Sequence, residues 1–111
     1  MNDNIVKLLK LIQENPNLPI VPMVDREIAE GDECDYWLGK WGSATIDEYI
    51  VSRKYIWDSK ILFKSDDDVF YVLGKCLTSD EFKELPETED ECRPIYNALP
   101  WTKAIIVYIN R

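Results

Sequence analysis

The feature that most constrains the fold is an apolar run in residues 101–109, which only Thr102 and Lys103 interrupt. A strand with one face in water alternates apolar and polar residues, whereas a strand covered on both faces is almost continuously apolar. The run therefore predicts a central strand. Such a strand needs neighbours on both edges and packed elements on both faces.

A first helix is predicted before Pro16. Its apolar face comprises Ile5, Leu8, Leu9 and Ile12, which recur at helical spacing. An Asn or Asp at positions 2–4 can cap the helix, and the residue before a proline leaves the helical region. We expect this helix to end near Asn15 and to pack on the sheet.

Several stretches between residues 18 and 64 predict the remaining strands. Leu18–Val24 contains two prolines, which favour an edge position. Tyr36–Gly42 alternates in polarity, and its two glycines permit a bulge or a turn. Ile46–Ser52 and Lys60–Lys64 then extend the sheet as a meander. On this interpretation, Tyr36–Gly42 forms central strands whose tryptophans pack within the sheet.

Capping signals predict further helices after residue 64. Ser65–Asp68 precedes a helical stripe within 69–77, and Thr78 or Ser79 opens a short helical turn that ends at Pro86. Glu87–Arg93 is an acidic connection on this interpretation, and Pro94 begins another helix.

These elements predict one α+β domain over residues 1–111, with an antiparallel or mixed sheet of about five strands and two or three helices packed on it. The predicted order is α-β-β-β-β-α-α-β. The 111-residue length is typical of a single domain.

The residue inventory argues against most catalytic chemistry. The chain has no histidine, which excludes imidazole bases, Ser-His or Cys-His pairs and histidine-bearing zinc sites. It has no glycine-rich phosphate loop, and its acidic clusters lack the spacing of a calcium-binding loop. We therefore expect no catalytic residue, metal or cofactor. An enzyme based on a carboxylate dyad or a Cys-Lys pair is the remaining catalytic alternative.

The cysteines and the N-terminus favour a reducing cytoplasm. Cys34, Cys76 and Cys92 form an odd set without a CxxC pair, as expected for free thiols in a reducing compartment. The N-terminus lacks a signal pattern, and no apolar run approaches the roughly 20 residues of a membrane helix.

The acidic residues are concentrated in two segments. The net charge is −8, and residues 25–35 and 65–91 hold sixteen of the 21 acids. This charge repels nucleic acid and anionic membranes and favours a basic partner, and solubility alone is the alternative explanation. The candidate partner-binding residues are Asp32, Glu33, Asp35, Asp66, Asp67, Asp68, Glu87, Glu89, Asp90 and Glu91. On one face they would imitate DNA phosphates; the alternative is ordinary solvated loops and helix ends.

Two smaller patterns also have alternatives. Asp66–Asp68 suits a helix cap better than a weak magnesium site. Trp37, Trp41, Tyr49, Tyr55 and Trp57 could stack bases beside Lys40, Arg53 and Lys54, although packing within the sheet is the favoured interpretation.

Three stretches, Leu18–Asp25, Tyr36–Gly42 and Leu99–Ile109, resemble small acidic proteins encoded by phages and prophages of Gram-positive bacteria. The resemblance covers most of the chain and implies no catalytic residues. It does imply a context, because such phage proteins include inhibitors of bacterial defence, among them anti-CRISPR proteins that mimic DNA.

Two functional hypotheses follow. The first is a phage-type inhibitor whose acidic surface occupies the basic groove of a host nucleic-acid-binding protein, such as a CRISPR effector. The second is a non-catalytic protein-interaction module that uses an aromatic surface on the sheet.

Overall fold

The computed structural model describes residues 2–28, 36–52 and 60–111. The elements are α1 (Asp3–Glu14), β1 (Ile20–Val24), β2 (Lys40–Ser52), β3 (Lys60–Phe63), α2 (Val69–Cys76), α3 (Ser79–Lys83), α4 (Glu89–Asn97) and β4 (Thr102–Asn110). Within these residues, four helices accompany a four-stranded mixed sheet in the order β1-β4-β2-β3. The α+β class and the mixed sheet are confirmed, while the counts differ from about five strands and two or three helices.

The strand count differs because β2 is one 13-residue strand. We expected a turn or bulge at Gly39 or Gly42. Instead Tyr36–Gly39 has no regular structure, and Gly42 lies inside β2. A Cβ at Gly42 would lie 2.8 Å from the carbonyl oxygen of Tyr108. This glycine therefore permits the close approach of another backbone segment rather than a change of chain direction.

The chain divides into two compact units. Unit 1 comprises residues 1–47 and 103–111, and unit 2 comprises residues 48–102. The single-domain organisation stays a prediction. Each unit has its own apolar cluster.

In unit 1, β4 is the strand that the apolar run predicts. It lies between β1 and β2 in the strand order, and Ala104, Ile105, Ile106 and Val107 are all buried. Adjacent strand residues point to opposite faces, so four buried neighbours mean that both faces of β4 are covered. The prediction of a central, doubly covered strand is confirmed.

Helix α1 packs its apolar face on this strand. Leu8 is buried against Ile105 and Val107, and Leu11 and Ile12 pack at the margin of the same cluster. Leu9 was predicted to belong to this face but is 45% exposed. Leu11 packs against the cluster instead. Asn2 caps the helix by accepting the Asn4 N–H with its side chain, and the helix ends before Asn15, as predicted.

Strand β1 is an edge strand, as predicted, and it runs parallel to β4. Pro19 accepts a hydrogen bond from the Ile105 N–H, and Asp25 donates one to the Ile109 carbonyl. The backbone N–H and carbonyl groups of the odd-numbered residues of β1 thus point toward β4, and the backbone nitrogen of Pro22 lies on the outer edge. A proline there costs no ladder hydrogen bond and removes a donor that another strand would need.

In unit 2, the core lies between β2, β3 and helices α2 and α4. Leu62, Val72, Leu73 and Cys92 are almost completely buried in it. Helix α4 begins at Glu89, five residues before the start predicted at Pro94. Thr88 caps this helix and acidic residues occupy its first turn, so the favourable N-terminus lies upstream of the proline.

Tyr96 and Trp101 fix the end of α4 in this core. The Tyr96 hydroxyl donates to the Lys64 carbonyl at 3.0 Å, and the Trp101 indole N–H donates to the Tyr96 carbonyl at 2.9 Å. Their rings meet edge to face, with centroids 5.2 Å apart. We expected Trp101 to open the last strand, but β4 starts at Thr102 and the indole packs in unit 2.

We predict that Gly42→Ala destabilises the protein by about 1–3 kcal/mol, because the new methyl group clashes with a strand backbone that cannot move aside. Gly74→Ala is the matched control. A Cβ at Gly74 would meet only Phe82, at 3.6 Å, and alanine favours the α2 helix by about 0.5–1 kcal/mol. Urea unfolding, monitored by circular dichroism, measures the change in the free energy of unfolding for both variants. Equal effects of the two substitutions would contradict the close-approach role of Gly42.

Candidate partner-binding surface

The predicted partner-binding residues do not form one uniform set. Asp32, Glu33 and Asp35 lie outside the described residues, as do Arg53, Lys54, Tyr55, Trp57 and Cys34. The other seven candidates all belong to unit 2. They divide into carboxylates that support the local backbone, carboxylates that contact Arg93, and carboxylates that face solvent.

Asp67 closes the outer edge of β3. The Lys64 N–H donates to Glu48 on β2, so by alternation the N–H and carbonyl of Phe63 point away from β2. The Asp67 carboxylate accepts the Phe63 N–H at 2.6 Å, and the Phe63 carbonyl accepts the N–H groups of Asp66 and Asp67. The turn thus satisfies the outward N–H and carbonyl of Phe63, which an added strand would otherwise use. The contacts of Asp67 are structural, not those of a partner-binding residue.

Asp68 caps α2. Its carboxylate accepts the N–H groups of Phe70 and Tyr71 at 2.9 and 3.2 Å. The expected capping role is therefore confirmed for Asp68 alone. The cap is this residue rather than Ser65, and no acid lies in the first turn. The Asp66 side chain is exposed and makes no hydrogen bond or ion pair with the described residues.

We predict three different outcomes for alanine substitutions in this aspartate run. Asp68→Ala loses a helix cap and costs about 1 kcal/mol. Asp67→Ala leaves the Phe63 N–H without its carboxylate partner and costs about 1–2 kcal/mol. Asp66→Ala is the matched control and leaves stability unchanged within about 0.5 kcal/mol. Chemical denaturation separates the three, and equal losses at all positions would contradict these roles.

The densest acidic surface lies in residues 80–91, which span α3 and the first turn of α4. This segment holds seven carboxylates and one lysine. All seven acidic side chains are exposed. They are Asp80, Glu81, Glu84, Glu87, Glu89, Asp90 and Glu91. We call residues 80–91 the acidic segment.

Two capping threonines explain why this segment folds as two helix starts. Thr78 and Glu81 form a capping box, in which the Glu81 N–H donates to the Thr78 hydroxyl and the Thr78 N–H donates to the Glu81 carboxylate. The predicted helical turn at 78–85 is thereby confirmed. Thr88 accepts the Glu91 N–H at the start of α4. Acids in both first turns complement the helix dipoles, so part of the charge has a structural purpose.

Within the acidic segment, Glu89 and Asp90 share a nearby cation. Arg93 Nη2 lies 3.1 Å from the Glu89 carboxylate, and its Nε lies 4.0 Å from Asp90. Both pairs are exposed, so each contributes little to stability. They do reduce the net negative charge that these two carboxylates present.

Four carboxylates of the acidic segment make no side-chain hydrogen bond or ion pair with the described residues. They are Asp80, Glu84, Glu87 and Glu91. Sequence reasoning selected Glu87 and Glu91 but not Asp80 and Glu84. The cap signature at Thr78 could have indicated both, because it predicts an exposed helix whose carboxylates project into water.

The capping box predicts an acid-sensitive carboxyl group. Hydrogen bonds from the backbone and then the side chain of Thr78 hold the pKa of Glu81 below its usual value. A depressed folded-state pKa means that this contribution to stability is present above the unfolded pKa and is lost as pH falls through the folded pKa. We expect NMR titration to show a partial rise of the Glu81 pKa in Thr78→Val, which loses the hydroxyl but keeps the backbone N–H, and an unchanged pKa in Thr88→Val. An unmoved pKa in Thr78→Val would contradict the contribution of the Thr78 hydroxyl.

A second exposed surface is aromatic and lies in unit 1. Tyr36 is 89% exposed, Trp37 45%, Leu38 98% and Trp41 50%. The expectation that Tyr36–Gly42 forms central strands is therefore wrong for residues 36–39. Trp41 lies on β2 with half its surface exposed, Tyr49 is half-buried on β2, and Tyr55 and Trp57 lie outside the described residues. Tyr36–Gly39 precedes β2, and Trp41 lies on the face of β2 where Ser43 and Thr45 are also exposed. We call Tyr36–Leu38 with Trp41 the aromatic segment.

The described part of unit 2 also holds a half-open groove of about 320 Å³. Its lining residues are Ile50, Val51, Ser52, Lys75, Cys76, Leu99 and Pro100. Burial raises the pKa of the Cys76 thiol, which keeps it protonated at neutral pH and therefore a poor nucleophile. The Ser52 hydroxyl donates to the Lys75 carbonyl and ties β2 to α2.

In residues 2–28, 36–52 and 60–111, no three His, Cys, Asp or Glu side chains are grouped as metal ligands would be. Nor does any helix in these ranges have the length and apolar content needed to cross a bilayer. Comparison with protein-family models, with curated proteins and with solved structures gives no match.

Proposed function

We propose that this protein is a non-catalytic inhibitor whose acidic segment occupies the basic groove of a nucleic-acid-binding protein. The observation that carries the proposal is the exposure of seven carboxylates in residues 80–91 of one compact unit. Its partner, on the resemblance to phage-encoded proteins, is a bacterial defence protein such as a CRISPR effector.

The contacts within the acidic segment support a surface of fixed negative charge. Two helix caps, at Thr78 and Thr88, hold its backbone in place. The lowered pKa of Glu81 keeps that carboxylate ionised at neutral pH. Four further carboxylates have no partner among the described residues, so their charge is available to another molecule. Exposed charge of one sign steers an oppositely charged protein and accelerates encounter.

The side-chain contacts also decide which carboxylates we include among the partner-binding residues. Asp67 and Asp68 support the local backbone, so we exclude them. Asp66 is exposed, so we keep it. Glu89 and Asp90 remain as a pair that Arg93 partly neutralises. Asp80 and Glu84 are added because they are exposed and unpaired within the described chain.

A second candidate function is a protein-interaction module that uses the aromatic segment. The exposure of two tryptophans, a tyrosine and a leucine favours it. Tryptophan and tyrosine are enriched among the residues that dominate interface energies, and exposed apolar clusters mark interaction sites. This function would depend little on salt.

Displacement of a labelled DNA duplex from a purified CRISPR effector, followed by fluorescence anisotropy, tests the inhibitor. We expect displacement that weakens between 50 and 300 mM salt. Glu84→Gln with Glu87→Gln should weaken it about two- to tenfold at 50 mM salt, since an exposed ion pair contributes roughly 1 kcal/mol or less.

Asp3→Asn with Glu14→Gln is the matched control, because it removes the same charge from α1 and should preserve displacement. Equal losses in the two double variants would contradict binding through the acidic segment. Displacement that is indifferent to salt and lost in Trp41→Ala would favour the aromatic segment instead.

A further inference from the structure

We propose that the aromatic segment is a self-association surface that packs against the same surface of a second copy of this chain. The proposal rests on the second candidate function, because it names the partner of that surface. It concerns unit 1 only and is independent of the acidic segment.

The backbone of the aromatic segment is held against the rest of unit 1. A Cβ at Gly39 would lie 2.5 Å from Ile109 Cγ2 and 3.4 Å from Ile28 Cδ1, so the chain passes directly over those side chains. The Trp41 carbonyl accepts a hydrogen bond from the Asn4 side chain at 3.1 Å. The backbone is therefore held at Gly39 and at Trp41, which lowers the entropy cost of association at this end of the segment.

The exposed area of the aromatic segment is typical of a weak dimer interface. A side chain of this size presents roughly 150–250 Å² when fully exposed, so the exposed fractions of the four residues amount to roughly 500 Å² per chain. Two copies would bury roughly 1,000 Å², below the 1,200–2,000 Å² of stable complexes and within the range of transient ones.

Local charge permits two copies to meet at this surface. Residues 36–46 contain no acid, although the chain has 21 acids and a net charge of −8. Lys40 is the only charged residue in this stretch. A symmetric contact here would bring together at most the two Lys40 side chains, whereas a contact through the acidic segment would oppose seven carboxylates of each copy.

Strand addition at either described edge would lack part of its hydrogen-bond ladder. Pro22 lacks the outward N–H that a strand added to β1 would use, and Asp67 occupies the outward N–H of Phe63 on β3. Contact between side chains is the route that we propose for the aromatic segment.

Sedimentation equilibrium on the full chain, from 10 µM to 1 mM at 150 mM salt, tests the proposal. We expect a monomer–dimer equilibrium with a dissociation constant on the order of 100 µM, as for a transient interface. Tyr36→Ser with Leu38→Ser should raise that constant at least tenfold, because it removes the two most exposed side chains of the patch.

Val6→Ser with Ile20→Ser is the control, since both residues are about half exposed in the same unit but lie outside the patch. Circular dichroism confirms that each variant is folded. A chain that is monomeric at 1 mM overturns the proposal, as does a dimer that both double variants weaken equally. A monomer that still showed salt-indifferent, Trp41-dependent inhibition would overturn self-association and leave the second candidate function in place.

Discussion

The burial of β4 is the constraint on which the described part of unit 1 depends. Four consecutive residues without solvent contact leave no water for the strand backbone, so its polar groups must pair with strands on both edges. β1 and β2 supply those edges, and α1 covers Ile105 and Val107. Gly42 lies on β2 where a Cβ would clash with the Tyr108 carbonyl oxygen of β4, which ties the glycine to the same requirement.

The parts of the fold with strong local physics are predictable from the sequence. Prolines place the end of α1 and the edge position of β1, because a missing N–H and a restricted preceding residue allow few alternatives. Thr78 and Glu81 predict a helix start, and the apolar run predicts β4. Each of these signals acts within a few residues and does not depend on distant packing.

The misassigned parts depend on tertiary context. The alternation of Tyr36–Gly42 resembles a strand, but it does not reveal that the aromatic side chains remain outside the cores. Charge alone cannot distinguish Asp66, which is exposed, from Asp67, whose carboxylate holds the edge of β3. Nor does Pro94 mark the start of α4, because the cap at Thr88 sets it earlier. The sequence therefore predicts the negative charge of the candidate surface. It does not predict which of its carboxylates form hydrogen bonds or ion pairs within the fold.

The division into units also sets an order of events during synthesis. Unit 2 is one uninterrupted stretch of chain, so all its residues have left the ribosome before β4 has. Unit 1 joins β1, near residue 20, to β4, beyond residue 102, in a parallel pair. Pairing two strands so far apart in sequence is slow. Until β1 and β4 pair, α1 has no complete sheet on which to pack. Until β4 is made, the nascent chain would therefore expose the apolar side of α1 and the edge of β1 that later meets β4. Pro22 removes a donor from the opposite edge, so it limits the pairing of the waiting strand to that one side.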